Sequence, residues 1–573
     1  MMDVIVLIKK RDFIYLTLLI AIVMLSRYIL FMSMENLYYV DCYGYLYKSI
    51  LFADDNKITF SRGWPFLFIL GIMIKFSQSF IQPILVAKLL MFFFNSMLSF
   101  CLYFLSRYFF NSDLAFFSTI FTIFGINLVF YSLVPYLEIF AYLSGFSSLY
   151  IFIKDFPKMN FNYVFASFLL SLLSIYTRFE MLGIFFVPLM ILLFINITII
   201  KEIKKSVIYL FICLCSLFFI IYPHLKTYYL EITRFNPIER LYFALRWDLI
   251  INVMNSIFSI SNSWILNTFF KIICSCGLIY IIFHQMIMSL IFRKNQNEVN
   301  EHFSNKFKYF FYDKGKITAF SLAISFVMVF LITCAFGSYS YKILNGELIT
   351  TTTEISIRFL IGPQLFLGWL FIFSLSEIIK KVLIFFRVPR IILNIFNKYI
   401  LIIEKNRFFA ILFLTILIVP YCCIMWNQGL DLTKKGSTTM GLYKKTGDWL
   451  AINLNDNERA IAPVTNVFFV NDPTLKNKLI PYHLFWEKAG IVPSADNTQQ
   501  EFLDIREQLI NFLNHNRSVK YVVVDWMDGY CQPIFNVNVN DELNLLLEEV
   551  HKEELLNRGQ WSPNIIIYQV KDQ

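Results

Sequence analysis

The stretch Phe13–Ser33 reads FIYLTLLIAIVMLSRYILFMS, and a few residues later the chain continues with Tyr38-Tyr-Val-Asp41-Cys-Tyr-Gly-Tyr45. The first stretch is long and apolar enough to cross a bilayer, for which about 20 residues suffice. No small-residue cleavage site follows it, so we interpret it as a retained span and not as a cleaved signal peptide. Asp41 lies eight residues beyond the end of this span. A carboxylate there is poorly placed for packing and well placed for acid/base chemistry at the membrane surface.

Apolar runs of similar length recur along most of the chain, which is 58% hydrophobic and has a mean hydropathy of +0.61. Soluble domains are about 45–50% apolar. The pattern predicts an α-helical polytopic membrane protein with about eleven spans, or up to thirteen. The segment Trp64–Phe76 is apolar but short, so we expect a half-buried helix there. The predicted spans are Phe13–Ser33, Pro83–Ser106, Leu114–Ser132, Ile139–Ile153, Phe161–Thr177, Met181–Ile200, Ser206–Tyr222, Trp264–Phe292, Ile317–Phe336, Phe359–Ile379 and Phe408–Trp426.

The distribution of positive charge predicts the orientation of these spans. Loops that would face the cytoplasm with a cytoplasmic N-terminus hold 22 Lys and Arg residues. The outer loops before residue 430 hold about ten, spread over more residues, and positive charge favours the cytoplasmic side. The first outer loop then covers residues 34–82, and an odd number of crossings places the C-terminal region outside.

The C-terminal region differs from the rest in charge and pattern. After residue 430 there are 14 Lys and Arg against 19 Asp and Glu, a net charge of −5, whereas residues 1–430 carry +15. We therefore divide the chain into a transmembrane domain that carries Asp41, residues 1–429, and an extracytoplasmic α/β domain, residues 430–573. Predicted helices are Met440–Leu454, Phe502–Asn514 and Asp541–Leu556, and predicted strands are Ala460–Pro463, Lys520–Asp525 and Asn564–Val570.

Composition also excludes several classes of function. The ten cysteines include no C-x-x-C pair, and the six histidines are scattered, so neither a zinc site nor a disulfide framework is indicated. The positive charge belongs to membrane loops, so we expect no nucleic acid partner. Cys42, beside Asp41, is best interpreted as a buried loop thiol.

Five cations within or beside the spans map to one depth, near the outer leaflet. Each alone is explained by snorkelling of a long side chain to the surface. Together they indicate a zone that binds phosphate, for which arginine is the usual ligand. The cations are Arg27, Lys88, Arg178, Lys271 and Arg358, and the carboxylates facing the same zone are Asp41, Glu138, Glu180 and Glu354.

In this order, these motifs resemble the GT-C superfamily of integral-membrane glycosyltransferases, most closely the family-39 type with protein O-mannosyltransferases and lipid A aminoarabinose transferases. Asp41 and Tyr45 match the acidic residue and tyrosine that follow the first span. The stretch Arg62-Gly-Trp-Pro65 matches only in part, because the family's second proline and its frequent preceding histidine are missing. The other matches are Glu138 in the next outer loop, the turn Thr177–Glu180, and Arg358-Phe-Leu with Pro363 at the start of a late span.

The resemblance implies a polyprenyl-phosphate sugar donor and an inverting transfer at the outer face of the cell membrane. Asp41 would be the general base and Glu138 a second catalytic carboxylate. Arg358, with Arg178 or Lys88, would meet the charge of the leaving phosphate. Tyr45, Arg62 and Glu180 complete the predicted substrate-binding set. The acceptor would be a glycan, a lipid or a protein, and membrane lipids would surround the chain.

Some branches of the superfamily work without metal, so we expect no required cofactor. If a divalent metal takes part, Asp41, Glu138 and Glu354 would supply its oxygen ligands.

Other interpretations stay open. Asp41 alone could be a solvated loop carboxylate, Glu138 a charge at a helix N-terminus, and Arg178 and Glu180 a simple ion pair. An envelope polysaccharide polymerase or ligase is the nearest alternative, although such enzymes usually lack a C-terminal outer α/β domain. A lipid or polysaccharide transporter is less well supported, because transporters tend to show internal repeats and charges near the midplane. A sensor or scaffold gives no reason for placing these charges at one depth.

Overall fold

The computed structural model describes residues 10–34, 36–37, 40–55, 63–77, 79–108, 110–178, 180–196, 314–336, 341–344, 347–350, 361, 363–366, 369, 407–490, 499–525, 532–535, 542–554 and 564–571. The predicted spans Ser206–Tyr222 and Trp264–Phe292 lie outside these residues, as does most of Phe359–Ile379.

The described part is mostly helical. The helices before residue 340 are α1 Lys10–Met32, α2 Val40–Asp55, α3 Trp64–Ser77, α4 Pro83–Ser106, α5 Ser112–Ile123, α6 Ile126–Phe130, α7 Leu137–Asp155, α8 Phe161–Thr177, a π-helical turn Leu182–Phe186, α9 Val187–Ile195 and α10 Lys314–Phe336. A hairpin of β1 Tyr341–Leu344 and β2 Glu347–Thr350 follows α10.

Three helices among the described residues, Arg11–Met32, Pro83–Ser106 and Leu137–Asp155, are long and apolar enough to cross a membrane. Shorter apolar helices accompany them, including α3, which has the reduced length predicted for a half-buried helix. The predicted bounds of α4 and α8 agree with the structure to the residue. Proline at the first position of α4 explains its sharp start, because proline needs no N–H partner there.

The third predicted span, Leu114–Ser132, differs from the structure, because α5 and α6 are separate helices that meet near Gly125. A break inside a membrane must satisfy the backbone groups that it frees. Gln364 Oε1 accepts a hydrogen bond from the Asn127 N–H at 3.0 Å, and Arg27 Nη2 donates to the Ile123 carbonyl at 2.7 Å. Two polar side chains from distant parts of the sequence thus replace the missing helical bonds, which no local pattern reveals.

A single helix connects the membrane part to the C-terminal region. Helix α11, Arg407–Asn453, contains the predicted span Phe408–Trp426 and runs on past the expected domain boundary at residue 430. Its 47 residues would measure ~70 Å at 1.5 Å per residue, against a hydrocarbon thickness of ~30 Å. The helix therefore extends well beyond a bilayer and carries its last turns into the following unit.

The C-terminal unit is built on a five-stranded sheet of order β4-β3-β5-β7-β6. Strands β3, β4 and β5 are parallel, whereas β7 is antiparallel to both β5 and β6. The elements are β3 Arg459–Ala462, α12 Thr465–Asn471, a 3-10 turn Pro473–Asn477, β4 Leu479–Pro481, α13 His483–Lys488, α14 Gln499–His515, β5 Val519–Asp525, α15 Gln532–Phe535, α16 Glu542–Leu546, β6 Leu547–Glu554 and β7 Asn564–Val570.

The central strand β5 is buried on both faces. Tyr521 and Val523 pack into the core that continues into the membrane part, and Val522 and Val524 pack into a second core with α13 and α14. An uninterrupted run of buried residues is what a strand covered on both faces requires.

The predicted helix Asp541–Leu556 is wrong over most of its length. Among its described residues, only Glu542–Leu546 is helical, and Leu547–Glu554 forms the edge strand β6, paired with β7. Leu, Glu and Lys favour helices in isolation, but the exposed edge of β7 offers the backbone a complete set of partners. The same charged side chains protect an edge strand from pairing with other chains.

Candidate active site

Asp41 lies in the first turn of α2, where its side chain is exposed. A carboxylate is favoured at this end of a helix, because the helix dipole is positive there. Tyr45 follows one turn later, so both residues share a helix face. The Tyr45 ring makes an edge contact with Tyr136, with ring centroids 6.3 Å apart.

Glu138 and Arg178 form a buried ion pair next to this turn. Glu138 is in the first turn of α7, and Arg178 caps the C-terminus of α8. Arg178 Nη2 lies 2.7 Å from Glu138 Oε1, and both side chains are only about 5% exposed. Arg178 Nε is 3.6 Å from Glu180 Oε2, so one guanidinium lies between two carboxylates. A charged pair removed from water to this extent depends on both members being present.

The ion pair and the turn that carries Asp41 belong to one site. Arg178 interacts electrostatically with both Tyr45 and Tyr136. Burial raises the pKa of the Cys42 thiol well above its usual range, and the carboxylates of Asp41 and Glu138 raise it further. Cys42 thus stays a protonated thiol, which agrees with a buried structural role and makes it a poor nucleophile.

Gly63 and Trp64, at the start of α3, pack against the site on a third side. Gly63 has φ +83°, and a Cβ at this position would lie 2.6 Å from the Leu137 side chain, one residue before Glu138. The Trp64 ring meets Tyr176 near the end of α8, with centroids 5.6 Å apart. Gly63 and Trp64 are therefore held against the two helix ends that carry the ion pair. Arg62 itself lies outside the described residues.

Two of the predicted outer cations contact backbone carbonyl groups. Lys88 Nζ donates to the Met34 carbonyl at 2.9 Å and lies 5.6 Å from the Phe31 ring centroid. It therefore fastens the end of α1, just before the connection to α2. Arg27 is bound at the break between α5 and α6, between the rings of Phe124 and Trp426. The remaining predicted residues, Lys271, Glu354 and Arg358, lie outside the described part.

One part of the site was not predicted from the sequence. Helix α12 of the C-terminal unit packs against α2, with Phe469 against Tyr47 at a ring-centroid distance of 5.3 Å. The Asn36 N–H also donates to Ser437 Oγ of α11 at 3.1 Å. More than 400 residues separate the two sides of these contacts, and nothing local in α12 indicates them.

A divalent metal finds no complete set of ligands in the part of the chain that the structure describes. No three His, Cys, Asp or Glu side chains there form a group able to hold an ion. Glu138, the buried candidate ligand, has its Oε1 against the Arg178 guanidinium, and a cation at that oxygen would meet a like charge. The third predicted ligand, Glu354, is not among the described residues.

Comparison with solved structures gives neighbours of the kind that the motifs predicted. A structure of ArnT from Cupriavidus metallidurans bound to undecaprenyl phosphate has 10% identity and a TM-score of 0.49, covering 96% of this chain and 97% of its own. The oligosaccharyltransferase AglB of Archaeoglobus fulgidus, with an inhibitory peptide and a dolichol-phosphate, has 10% identity and a TM-score of 0.48, covering 90% and 70%. The same enzyme with Zn and sulfate has 10% identity and a TM-score of 0.49, covering 88% and 68%.

ArnT and AglB are both GT-C glycosyltransferases. No family model and no curated protein sequence matches the chain. With identities of 10% and TM-scores below 0.5, the neighbours define neither the reaction nor the site of this chain. Its chemistry has to be argued from its own residues.

Proposed function

We propose that this protein transfers a sugar from a polyprenyl-phosphate donor to an acceptor hydroxyl at the outer surface of the cell membrane. The observation that carries the proposal is the exposed Asp41 carboxylate at the start of α2, next to the buried Glu138–Arg178 pair. One carboxylate is exposed to solvent, whereas the other is buried against a guanidinium. Two carboxylates in such different surroundings suit two different roles.

The chemical step assigns Asp41 as general base. It accepts the proton of the acceptor hydroxyl while the oxygen attacks the anomeric carbon of the donor. The bond from that carbon to the phosphate oxygen breaks, and the phosphate leaves with the electron pair. Attack from the side opposite the phosphate inverts the configuration. The leaving phosphate needs no protonation by an acid, and no step is assigned to a metal.

The other residues position the reactants. Glu138 holds Arg178 at the end of α8, and Arg178 brings positive charge next to the ring of Tyr45, one turn from the base. Because two carboxylates already surround Arg178, its charge is largely balanced. We therefore assign the main contact with the leaving phosphate to Arg358, as the motif predicts. Tyr45, Arg62 and Glu180 are proposed to bind the sugar or the acceptor.

The proposal includes an orientation. The N-terminus is placed in the cytoplasm and the C-terminal sheet unit outside, as the loop charges predict. Asp41 then faces the outer surface, where a lipid-linked donor presents its sugar.

A strain test separates this proposal from its alternatives. Surface glycans are compared by mass spectrometry in a deletion strain and in the same strain carrying wild type, Asp41→Asn or Asp54→Asn. Asp54 is exposed on the last turn of the same helix and serves as the matched control. We expect one sugar mass to vanish on deletion, to return with wild type and Asp54→Asn, and to stay absent with Asp41→Asn. Full restoration by Asp41→Asn would remove Asp41 as the base and favour a transporter.

The product distinguishes a polymerase or ligase from a transferase. Loss of a single sugar from an otherwise intact glycan supports a transferase. Loss of a whole repeating polymer supports the alternative.

A further inference from the structure

Helix α12 places the amide side chain of Asn466 against the helix that carries Asp41. If Gly44 on α2 carried a Cβ, that atom would lie 3.7 Å from Asn466 Nδ2. Gly44 follows Asp41 by three residues, a spacing that places two positions on the same helix face, one turn apart. Asn466 thus lies over the face of α2 that holds the proposed base. Because Gly44 has no side chain, the Asn466 amide can lie close to the backbone of α2 at this position.

The position of Asn466 is fixed by the packing of its helix on α2. Phe469 packs on Tyr47, and Asn471 lies beside the Tyr43 hydroxyl. Val464, two residues before Asn466, has φ +43°, a conformation that is strained for a β-branched residue. Such strain persists only where the surrounding structure holds it, and it is common next to functional groups. Helix α12 is therefore held at a set angle to α2.

Asn466 has an amide that is available for binding. Its side chain is half-buried, and among the described residues it forms no hydrogen bond. On the same helix, by contrast, the Asn471 amide donates to the Val467 carbonyl at 3.0 Å. A carboxamide has two N–H donors and one oxygen acceptor, so Asn466 can either donate a hydrogen bond to a hydroxyl group or accept one from it. Asn466 therefore offers hydrogen-bonding groups over the face of α2 that carries the exposed Asp41, and such groups can bind a sugar or an alcohol.

We propose that Asn466 binds the acceptor and that the C-terminal unit thereby completes the active site. This inference rests on the proposed function. Asn466 belongs to the C-terminal unit, and the part of α11 that extends beyond a bilayer leads into this unit. We therefore expect Asn466 to approach the acceptor from the side opposite the lipid tail of the donor. Its amide hydrogen-bonds a polar group of the acceptor next to the reacting hydroxyl, and this orients that hydroxyl toward the Asp41 carboxylate.

The test uses the purified full-length chain. The donors are polyprenyl-phosphate mannose, glucose and galactose, and the acceptor is an envelope extract of the deletion strain. We expect Asn466→Ala to raise the apparent KM for the extract about three- to tenfold, the effect of one lost hydrogen bond to a neutral group. The kcat and the KM for the donor should stay within about twofold. Asn477→Ala removes an exposed amide from the same unit and should match wild type.

A second variant tests proximity to the base. Asn466→Asp places a second carboxylate over the helix face that carries Asp41, and two like charges at close range favour proton binding. Because Asp41 must be deprotonated to act, the acidic limb of the kcat/KM profile should move to higher pH. A purely structural role would leave this limb in place.

The outcomes separate the inference from the proposed function. A wild-type acceptor KM in Asn466→Ala, or an unshifted acidic limb in Asn466→Asp, would overturn the role of Asn466 while Asp41→Asn stays inactive. If Asp41→Asn keeps full activity, the proposed function itself fails, and the inference fails with it.

Discussion

At the scale of single residues, the site contrasts an exposed carboxylate with a buried one. Asp41 is open to solvent, whereas Glu138 is held by Arg178 at 2.7 Å. A buried ion pair contributes less than its geometry suggests, because both charges lose their hydration. Removing one partner is far more costly, since it leaves the other charge buried and uncompensated. Glu138 and Arg178 are therefore expected to behave as a unit.

Because Glu138 and Arg178 are coupled, we can predict the order in which variants of these residues lose stability. Arg178→Met removes the guanidinium that lies between Glu138 and Glu180, and it should cost about 3–5 kcal/mol of stability. Glu138→Leu is expected to cost less, because Glu180 still faces Arg178. The double variant should melt at a higher temperature than Arg178→Met alone, since it removes both charges. Melting of the purified protein in detergent measures this order.

The pairing would be refuted if the double variant melted below both single variants. All three variants should lose transfer activity, because the position of Arg178 next to Tyr45 depends on the pair.

The sequence indicated these residues to different degrees. Asp41, Glu138 and Arg178 could be singled out because each is ionisable and follows or precedes an apolar run. Their mutual pairing could not, since Glu138 and Arg178 begin and end different helices, and the simpler local pair of Arg178 with Glu180 was the natural expectation. The hydrogen bond from Lys88 to the Met34 carbonyl could not be predicted either, because the depth of a residue in a span does not specify its partner.

At the scale of elements, the turn at Gly63 joins the first outer loop to the helix ends of the site. Gly63 has a left-handed backbone conformation, and the Leu137 side chain leaves no room for a Cβ at this position. Gly63→Ala should therefore cost about 1–3 kcal/mol from strain, should displace Leu137, and should reduce transfer. Gly490→Ala is the matched control, because Gly490 also has a positive φ of +68° but nothing within 4 Å of a Cβ.

We expect Gly490→Ala to lower the melting temperature slightly and to leave activity unchanged. The double variant Gly63→Ala with Leu137→Ala should regain part of the lost activity, because it relieves the clash but not the strain. Equal activity of Gly63→Ala and Gly490→Ala would show that the Gly63 contact does not shape the site.

Elements with strong periodicity were predicted well, and elements that depend on distant partners were not. Helices α4 and α8 have the predicted bounds because a long apolar run ended by polar residues leaves few alternatives. The break between α5 and α6 needs Gln364 and Arg27, which lie far away in the sequence. Strand β6 needs the open edge of β7, which overrides the helical tendency of its own residues.

At the scale of the whole molecule, the predicted orientation can be measured directly. Lys158 lies in the exposed turn between α7 and α8, in a loop predicted to be cytoplasmic, and Asn477 is exposed on the sheet unit. In intact cells, a membrane-impermeant maleimide should label Asn477→Cys at once and Lys158→Cys only after permeabilisation. The wild-type chain gives the background of its own cysteines. The reverse labelling pattern would invert the topology and place Asp41 on the wrong side for an outer-leaflet donor.

The continuous helix α11 and the contact of α12 with α2 make the two parts of the chain one unit around Asp41. A boundary at residue 430 describes the change in composition correctly, but it falls inside a helix. The change in composition marks where polar side chains become frequent. The helix continues past this point because it is packed against other elements along its length.

The most direct measurement is the release of polyprenyl phosphate from polyprenyl-phosphate sugars by the purified chain in the presence of the envelope extract. We compare wild type with Asp41→Asn and Asp54→Asn at equal protein concentration. The melting temperatures of the three proteins are measured first and should be equal, which shows that the variants are folded. We expect Asp54→Asn to match wild type and Asp41→Asn to lower kcat/KM about a hundred- to ten-thousandfold, the usual contribution of a general base. Undiminished release by Asp41→Asn would contradict the central claim that Asp41 takes the proton of the acceptor.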